Sequence, residues 1–203
     1  MRIGIDFDNT IACYDAVFAQ AARHRNLIPA SFPGGKSAVR AAVRSLPDGE
    51  AHWQGLQGWV YGAGMANAAL IPGVGDFLNS ARRLGHEVFI ISHKTEYGHF
   101  DPLRVNLRDA ALAWMEARGF FDPAGFGLAR ANVIFEATRD DKVARIAAVS
   151  PDWFIDDLEE VLTHPAFPPT VRRMLFGEAH GNAGLACRPD WPAIARKVLA
   201  HAD

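Results

Sequence analysis

The chain contains 203 residues, of which 49% are hydrophobic and 22% charged, as in folded globular proteins rather than disordered ones. Lys and Arg number 21 against 23 Asp and Glu, so the formal net charge is −2. This balance gives no electrostatic reason to expect nucleic acid or a membrane surface as the partner. The only two cysteines, Cys13 and Cys187, exclude a disulfide framework and a four-cysteine zinc site.

The two cysteines are interpreted as small hydrophobic residues of a protein in a reducing compartment. The N-terminal residues lead directly into an apolar run at Ile3 and lack the pattern of a signal peptide. No apolar run approaches the roughly 20 residues that a transmembrane helix needs. We therefore expect a cytoplasmic protein.

Short apolar runs alternate with longer helical patterns along most of the chain. The predicted strands are Ile3–Phe7, Val88–Ile91, Asn132–Phe135, Trp153–Ile155 and Val171–Phe176. The predicted helices are Val74–Leu84, Leu103–Arg118, Asp140–Val149, Leu158–Thr163 and Trp191–Ala200, the last with Asp190 as N-cap and Pro192 in its first turn. Such alternation predicts an α/β fold, a three-layer, doubly wound parallel sheet of Rossmann-like type.

One long segment, from Ala12 to Leu70, interrupts this alternation. It contains helical patterns and no convincing strand, so we expect a helical insertion over residues 12–71 and an α/β core formed by residues 1–11 and 72–203. The aromatic residues of the insertion are interpreted as packing residues, and an exposed Trp/Tyr face would provide a homodimer contact. These aromatic residues are Phe18, Trp53, Trp59 and Tyr61.

Polar side chains follow three of the predicted strands. The first strand leads into Asp6-Phe7-Asp8-Asn9-Thr10, the second into Ser92 and the fourth into Asp156-Asp157. Ligands bind beyond the carboxyl ends of the strands in parallel sheets, so these residues are candidates for a common site.

Two of these residues, Asp6 and Asp8, would share one face of an extended strand. Two buried carboxylates at this distance repel each other unless a cation lies between them. Mg²⁺ is a hard cation that binds carboxylates together with a substrate phosphate, and Asp156 or Asp157 would supply a further ligand. The alternative is that these acidic residues are solvated loop residues or helix caps. Their occurrence at two strand ends, with Ser92 at a third, favours the magnesium site.

The same residues resemble the motifs of the haloacid dehalogenase superfamily. Asp6-Phe7-Asp8-Asn9-Thr10 is similar to its first motif, Asp-x-Asp-x-Thr, and Ser92 to its second. Lys142 is the candidate for the third motif, and Asp156-Asp157 matches the fourth. All four motifs occur in the family's order and in a strand–loop context.

The resemblance implies a phosphatase that forms an aspartyl-phosphate. Asp6 would be the nucleophile, Asp8 the general acid and base, and Thr10 would orient the loop. Ser92 would bind a phosphoryl oxygen, and Lys142 would neutralise the charge of the phosphate. The resemblance also implies Mg²⁺ as cofactor, with Asp6, Asp8, Asp156 and Asp157 as the metal-binding residues.

Several alternatives remain open at this stage. Lys94 lies two residues after Ser92 and competes with Lys142 as the partner of the phosphate. His93, Lys94 and Asn9 are candidates, with Ser92, for binding a small phosphorylated substrate, and a polar surface loop is an equal interpretation of His93 and Lys94. A phosphotransferase or phosphomutase is the alternative enzyme, and a non-catalytic binding module is the alternative from another class. The family places a cap where the helical insertion lies in the sequence.

Overall fold

A computed structural model describes residues 1–178 and 184–201, without the side chain of residue 201. Its main sheet contains six strands in the order β5-β4-β1-β6-β7-β8, and every neighbouring pair is parallel. The six strands are β1 (Arg2–Ile5), β4 (Glu87–His93), β5 (Val133–Glu136), β6 (Trp153–Asp156), β7 (Arg172–Phe176) and β8 (Cys187–Arg188). This architecture confirms the predicted α/β fold.

Eight α-helices lie in the described part of the chain. They are α1 (Asp15–His24), α2 (Lys36–Arg44), α3 (Gly49–Tyr61), α4 (Val74–Arg83), α5 (Leu107–Glu116), α6 (Arg139–Val149), α7 (Glu159–Leu162) and α8 (Trp191–Val198). The start of α8 agrees with the prediction, because the Asp190 side chain accepts a 2.7 Å hydrogen bond from the Ala193 N–H and Pro192 lies in the first turn. None of the described helices is long and apolar enough to span a membrane.

The chain forms two compact units. The α/β unit consists of Met1–Ala12, Leu70–Lys94 and Arg118–Asp203, within the described residues. The helical unit consists of Cys13–Ala69 and Thr95–Ala117.

The core of the α/β unit is built around β1, which lies between β4 and β6. Ile3, Ile5, Ile90 and Ile155 on these strands have no exposed surface. Strands that are covered on both faces are apolar at nearly every position, which is why the sequence shows continuous apolar runs here. Close packing extends to the backbone, since a Cβ atom at Gly4 would lie 2.5 Å from the Phe154 ring.

The helical unit is packed mainly through aromatic side chains. The rings of Phe18 and Trp53 stack with centroids 4.8 Å apart, and Tyr61 meets Phe18 edge to face at 5.7 Å. The predicted packing role of these residues is confirmed. The expected exposed Trp/Tyr face is wrong, because Trp53 is buried and Trp59 and Tyr61 are half-buried. These side chains, which the sequence suggested for a dimer contact, are at least half-buried within the unit.

The structure groups Thr95–Ala117 with the helical unit, whereas the sequence pattern had placed these residues in the core. Two contacts account for this grouping. A Cβ atom at Gly58 of α3 would lie 2.9 Å from the His99 carbonyl oxygen, so glycine allows the loop to approach the helix closely. The Trp114 indole on α5 donates a 2.9 Å hydrogen bond to the Ala68 carbonyl. A helical pattern shows that α5 exists but not which unit it packs against.

Three short strands were missed by the sequence analysis. β2 (Ala12–Cys13) and β3 (Ala69–Leu70) pair in a two-stranded sheet, so the expectation of no strand between Ala12 and Leu70 is wrong. β8 adds two residues to the edge of the main sheet. Strands of two residues carry no measurable alternation of polar and apolar residues, and only pairing with a neighbour defines them.

Candidate active site

The predicted site residues of the α/β unit meet at the carboxyl edge of its sheet. Asp6 follows the last residue of β1, and its N–H donates a 2.8 Å hydrogen bond to the Ile155 carbonyl on β6. Asp156 ends β6, and Ser92 lies near the end of β4. Because β4, β1 and β6 are adjacent and parallel, their ends bring these side chains to one edge.

Asp6 is the centre of this group and is nearly fully buried. Its Oδ1 atom accepts hydrogen bonds from Ser92 Oγ at 2.9 Å and from Lys142 Nζ at 2.6 Å. Thr10 Oγ1 lies 3.5 Å from the other oxygen, Oδ2. The sequence predicted that Asp6, Thr10, Ser92 and Lys142 belong to one site, and the structure places the last three side chains around Asp6.

Lys142 bridges two buried carboxylates. It lies in the first turns of α6, whose N-cap Thr138 accepts a hydrogen bond from the Asp141 N–H. Its Nζ atom is 2.6 Å from both Asp6 Oδ1 and Asp156 Oδ2. Burial by itself would lower the pKa of Lys142, but the carboxylates of Asp156 and Asp6 outweigh it and raise the pKa. The ammonium group therefore stays charged and compensates part of the buried negative charge.

Asp156 and Asp157 complete an acidic group with Asp6. One oxygen from each of the three carboxylates lies within 4.8 Å of the others. Asp156 also accepts a 2.9 Å hydrogen bond from the Leu158 N–H, and Asp157 accepts one from Thr10 Oγ1 at 3.3 Å.

The carboxylates of this acidic group are close enough to affect one another's ionisation. Complete burial, with the neighbouring Asp6 carboxylate, raises the pKa of Asp156 to about 6 although Lys142 and the Leu158 N–H favour the ionised form. Asp6 and Asp156 share the one ammonium group of Lys142, so these two buried carboxylates carry more negative charge than that lysine balances. Carboxylate oxygens are hard donors of the kind that bind Mg²⁺, so the three oxygens of Asp6, Asp156 and Asp157 fit such an ion.

Asp8 has a different partner. Its carboxylate accepts two hydrogen bonds from Lys94 Nζ, at 3.0 Å to Oδ1 and 2.8 Å to Oδ2. Lys142 thus contacts the predicted nucleophile, whereas Lys94 contacts the predicted general acid and base. The sequence analysis missed this pair, although Ser92 and Lys94 have the same two-residue spacing as Asp6 and Asp8.

Two further candidates make local contacts. His93 is exposed, and its Nε2 atom lies 3.0 Å from the Ala137 carbonyl, so that nitrogen is the donor. Asn9 adopts a left-handed conformation with φ of 61°, and its N–H donates to the Ala12 carbonyl at 2.9 Å. Asparagine tolerates this conformation better than most residues, which accounts for its place in the turn. Substrate binding by His93 and Asn9 stays a prediction.

Comparison with known proteins identified relatives by structure only. No family model and no curated protein sequence matches the chain. A HAD-superfamily hydrolase from Ehrlichia chaffeensis superposes with a TM-score of 0.59 and 10% identity, over 100% of this chain and 97% of the other. A HAD family hydrolase from Deinococcus radiodurans, with bound phosphate and sodium, gives a TM-score of 0.55 and 17% identity, over 99% and 95% of the two chains.

A third structure, a predicted phosphoglycolate phosphatase from Haemophilus somnus, gives a TM-score of 0.54 and 14% identity, over 96% of each chain. The likeness extends over nearly the whole length of all three proteins, at identities too low to carry their activities over. The parallel sheet and these superpositions agree with the resemblance seen in the motifs: the chain has the fold of the haloacid dehalogenase superfamily.

Proposed function

We propose that the protein is a Mg²⁺-dependent phosphatase that hydrolyses a small phosphorylated metabolite through an aspartyl-phosphate on Asp6. The observation that carries this proposal is the environment of the Asp6 carboxylate, which contacts Ser92 and Lys142 and lies beside two further carboxylates. A hydroxyl and an ammonium group on one carboxylate oxygen are the donors that a phosphoryl group needs while it is transferred to that carboxylate. The phosphate in the Deinococcus structure of the same fold supports the substrate class.

In the first step, the Oδ2 atom of Asp6 attacks phosphorus in line with the leaving oxygen. The new O–P bond forms as the ester P–O bond breaks, and Asp8 donates a proton to the leaving oxygen. Ser92 and Lys142 stabilise the negative charge on the phosphoryl oxygens. Thr10 restrains the loop through its contacts with Asp6 and Asp157.

In the second step, the aspartyl-phosphate is hydrolysed. The Asp8 carboxylate takes a proton from a water molecule whose oxygen attacks phosphorus. The bond between phosphorus and Asp6 breaks, which releases inorganic phosphate and regenerates the Asp6 carboxylate. Asp8 therefore alternates between its protonated and ionised forms during one turnover.

The carboxylates of Asp6, Asp156 and Asp157, with the backbone carbonyl of Asp8, would hold the magnesium ion. When bound, the ion neutralises charge on the phosphate and the carboxylates. The substrate would be a small phosphorylated metabolite such as a sugar phosphate or a nucleotide. It would contact Asn9, Ser92 and His93. Residues 12–71 would act as a cap that selects the substrate. The cytoplasmic location and a homodimer stay predictions.

The first experiment measures hydrolysis of p-nitrophenyl phosphate with Mg²⁺ and with chelator, for the native protein and Asp6→Asn. We expect hydrolysis that requires Mg²⁺ and falls at least about 1,000-fold in the variant, because the nucleophile is lost. Lys197→Met, a substitution in α8, is the matched control and should retain the native rate. Hydrolysis that persists in Asp6→Asn would contradict the proposal.

A second measurement separates the alternatives if the native rate is low. Beryllofluoride with Mg²⁺ should bind the native protein and not Asp6→Asn, since the complex mimics a phosphoryl group on a nucleophilic carboxylate. If the protein were a non-catalytic module, neither the native protein nor Asp6→Asn would bind beryllofluoride. Transfer of phosphate to an added alcohol in preference to water would indicate a phosphotransferase.

A further inference from the structure

The four lysines of the chain differ in burial, and Lys94 is one of the two that are buried. Its side chain is 2% exposed, and the Asp8 side chain that it contacts is 20% exposed. Lysine is rarely buried in proteins unless its charge is paired. The second buried lysine, Lys142, belongs to the proposed phosphoryl site, and Lys94 has no role in that mechanism.

Lys94 is held in place at both ends. Its N–H donates a 2.8 Å hydrogen bond to the Glu136 carbonyl, which continues the pairing of β4 with β5 past the end of β4. Its Nζ atom lies 5.6 Å above the centre of the Phe7 ring, and that ring meets Phe135 edge to face. The side chain thus crosses Phe7 and ends on both oxygens of Asp8, an arrangement that restricts the orientation of the carboxylate.

The pair repeats the contact between Ser92 and Asp6. Ser92 and Lys94 lie two residues apart at the end of β4, as Asp6 and Asp8 do after β1, so each pair of side chains faces one way. β1 and β4 are neighbours in parallel register. The carboxyl end of β4 and the residue after it therefore supply one donor to each carboxylate. Ser92 donates to Asp6, the nucleophile, and Lys94 donates to Asp8, the acid and base.

We propose that Lys94 is a positioning residue that fixes the Asp8 carboxylate for its reaction with water in the second step. The inference rests on the proposed function, because it assigns a role only if Asp8 activates water at an aspartyl-phosphate. It replaces the expectation that Lys94 binds the substrate. Both oxygens of Asp8 bind one ammonium group, which orients the carboxylate and compensates its charge beside Asp6.

The experiment compares the two steps in Lys94→Met, with p-nitrophenyl phosphate as the probe. p-Nitrophenol is a good leaving group, so the first step depends little on proton donation, whereas hydrolysis of the intermediate needs an oriented base. We expect the steady-state rate to fall about 10- to 100-fold while the first turnover slows less than about threefold. A pre-steady-state burst of p-nitrophenol, approaching one per protein molecule, should then appear.

Matched variants separate positioning from damage to the fold. Lys94→Arg retains the charge and should recover part of the steady-state rate, Lys94→Gln replaces Lys94→Met if that variant does not fold, and Lys197→Met should behave as native. In a protein that already carries Asp8→Asn, Lys94→Met should cause no further loss of the steady-state rate, because the carboxylate that Lys94 orients is no longer present.

The outcomes distinguish this inference from the proposed function. If Lys94→Met slows the first turnover and the steady-state rate in equal proportion, or if its effect adds fully to that of Asp8→Asn, the positioning role is wrong and the phosphatase stands. If the native protein neither hydrolyses p-nitrophenyl phosphate nor binds beryllofluoride, the proposed function fails and the inference falls with it.

Discussion

The two units differ in what they bury. In the helical unit, the described buried side chains are almost entirely apolar, and the stacked rings of Phe18 and Trp53 are representative. Its buried charged residue, Asp101, accepts hydrogen bonds from the N–H groups of Leu103 and Val105 in its own loop. The α/β unit instead buries six polar or charged side chains at one edge of its sheet. They are Asp6, Thr10, Ser92, Lys94, Lys142 and Asp156.

The buried charge of the helical unit stabilises a loop, whereas the buried charges of the α/β unit form a candidate site. The oxygens of Asp101 bind nearby backbone donors, and the contact closes a turn. In the α/β unit, Asp6, Lys142 and Asp156 come from three separate elements and neutralise one another only in part. Replacing a buried ion pair with apolar residues is often neutral or stabilising, so a partly compensated cluster of this kind indicates a site for a ligand rather than a stabilising device.

The largest expected effect on stability is that of Lys142→Met. The substitution removes the cation between two buried carboxylates, and we expect a loss of about 3 to 5 kcal/mol in the free energy of unfolding. Urea denaturation followed by circular dichroism measures it, with Lys197→Met as the control. A loss below about 1 kcal/mol would show that the buried carboxylates do not depend on Lys142, and the contrast between the units would fail.

A smaller effect is expected for Asp101→Ala in the helical unit. The variant removes the acceptor of two hydrogen bonds, of 3.2 and 3.3 Å, and should cost about 1 to 3 kcal/mol. The same denaturation measurement applies, and Asp109→Ala, in the first turn of α5, serves as an exposed control for removing an aspartate. If Asp101→Ala destabilised the protein more than Lys142→Met, the buried charge of the helical unit would be the more important of the two.

The smallest effect concerns His86, a half-buried group of the α/β unit whose Nε2 atom has no hydrogen-bond partner among the described residues. Burial, followed by the positive charge of the N-terminal amine, lowers the pKa of His86 below 6.5. The unfolded chain therefore takes up a proton at His86 before the folded protein does, and the contribution of His86 to stability is lost as the pH falls below about 6.5.

The test compares urea midpoints at pH 7.5 and 5.5 for the native protein and His86→Gln. We expect the urea midpoint to fall less from pH 7.5 to pH 5.5 in His86→Gln than in the native protein. Other groups that titrate in this range, such as Asp156, are present in both proteins, so the difference between the two isolates His86. Equal pH dependence in both proteins would show that His86 titrates alike in the folded and unfolded states.

The sequence predicted the central strands and most helices within one to four residues. Those elements contain four residues or more and show an apolar run or a helical pattern, so local pattern and burial agree. β2, β3 and β8 contain two residues each, and pairing with a neighbouring strand is their only signal. The grouping of Thr95–Ala117 with the helical unit depends on a close approach at Gly58, which follows from the fold and not from composition.

The sequence by itself determined which side chains lie at the carboxyl edge of the sheet, because strand ends and motif spacing are local properties. It identified Asp6, Asp8, Ser92, Lys142 and Asp156 without knowledge of their contacts. Only the tertiary structure decided which lysine serves which carboxylate, with Lys142 on Asp6 and Lys94 on Asp8. The physical reason is that the chain separations of these pairs are large, and strand register and helix placement alone bring such distant residues within hydrogen-bond distance.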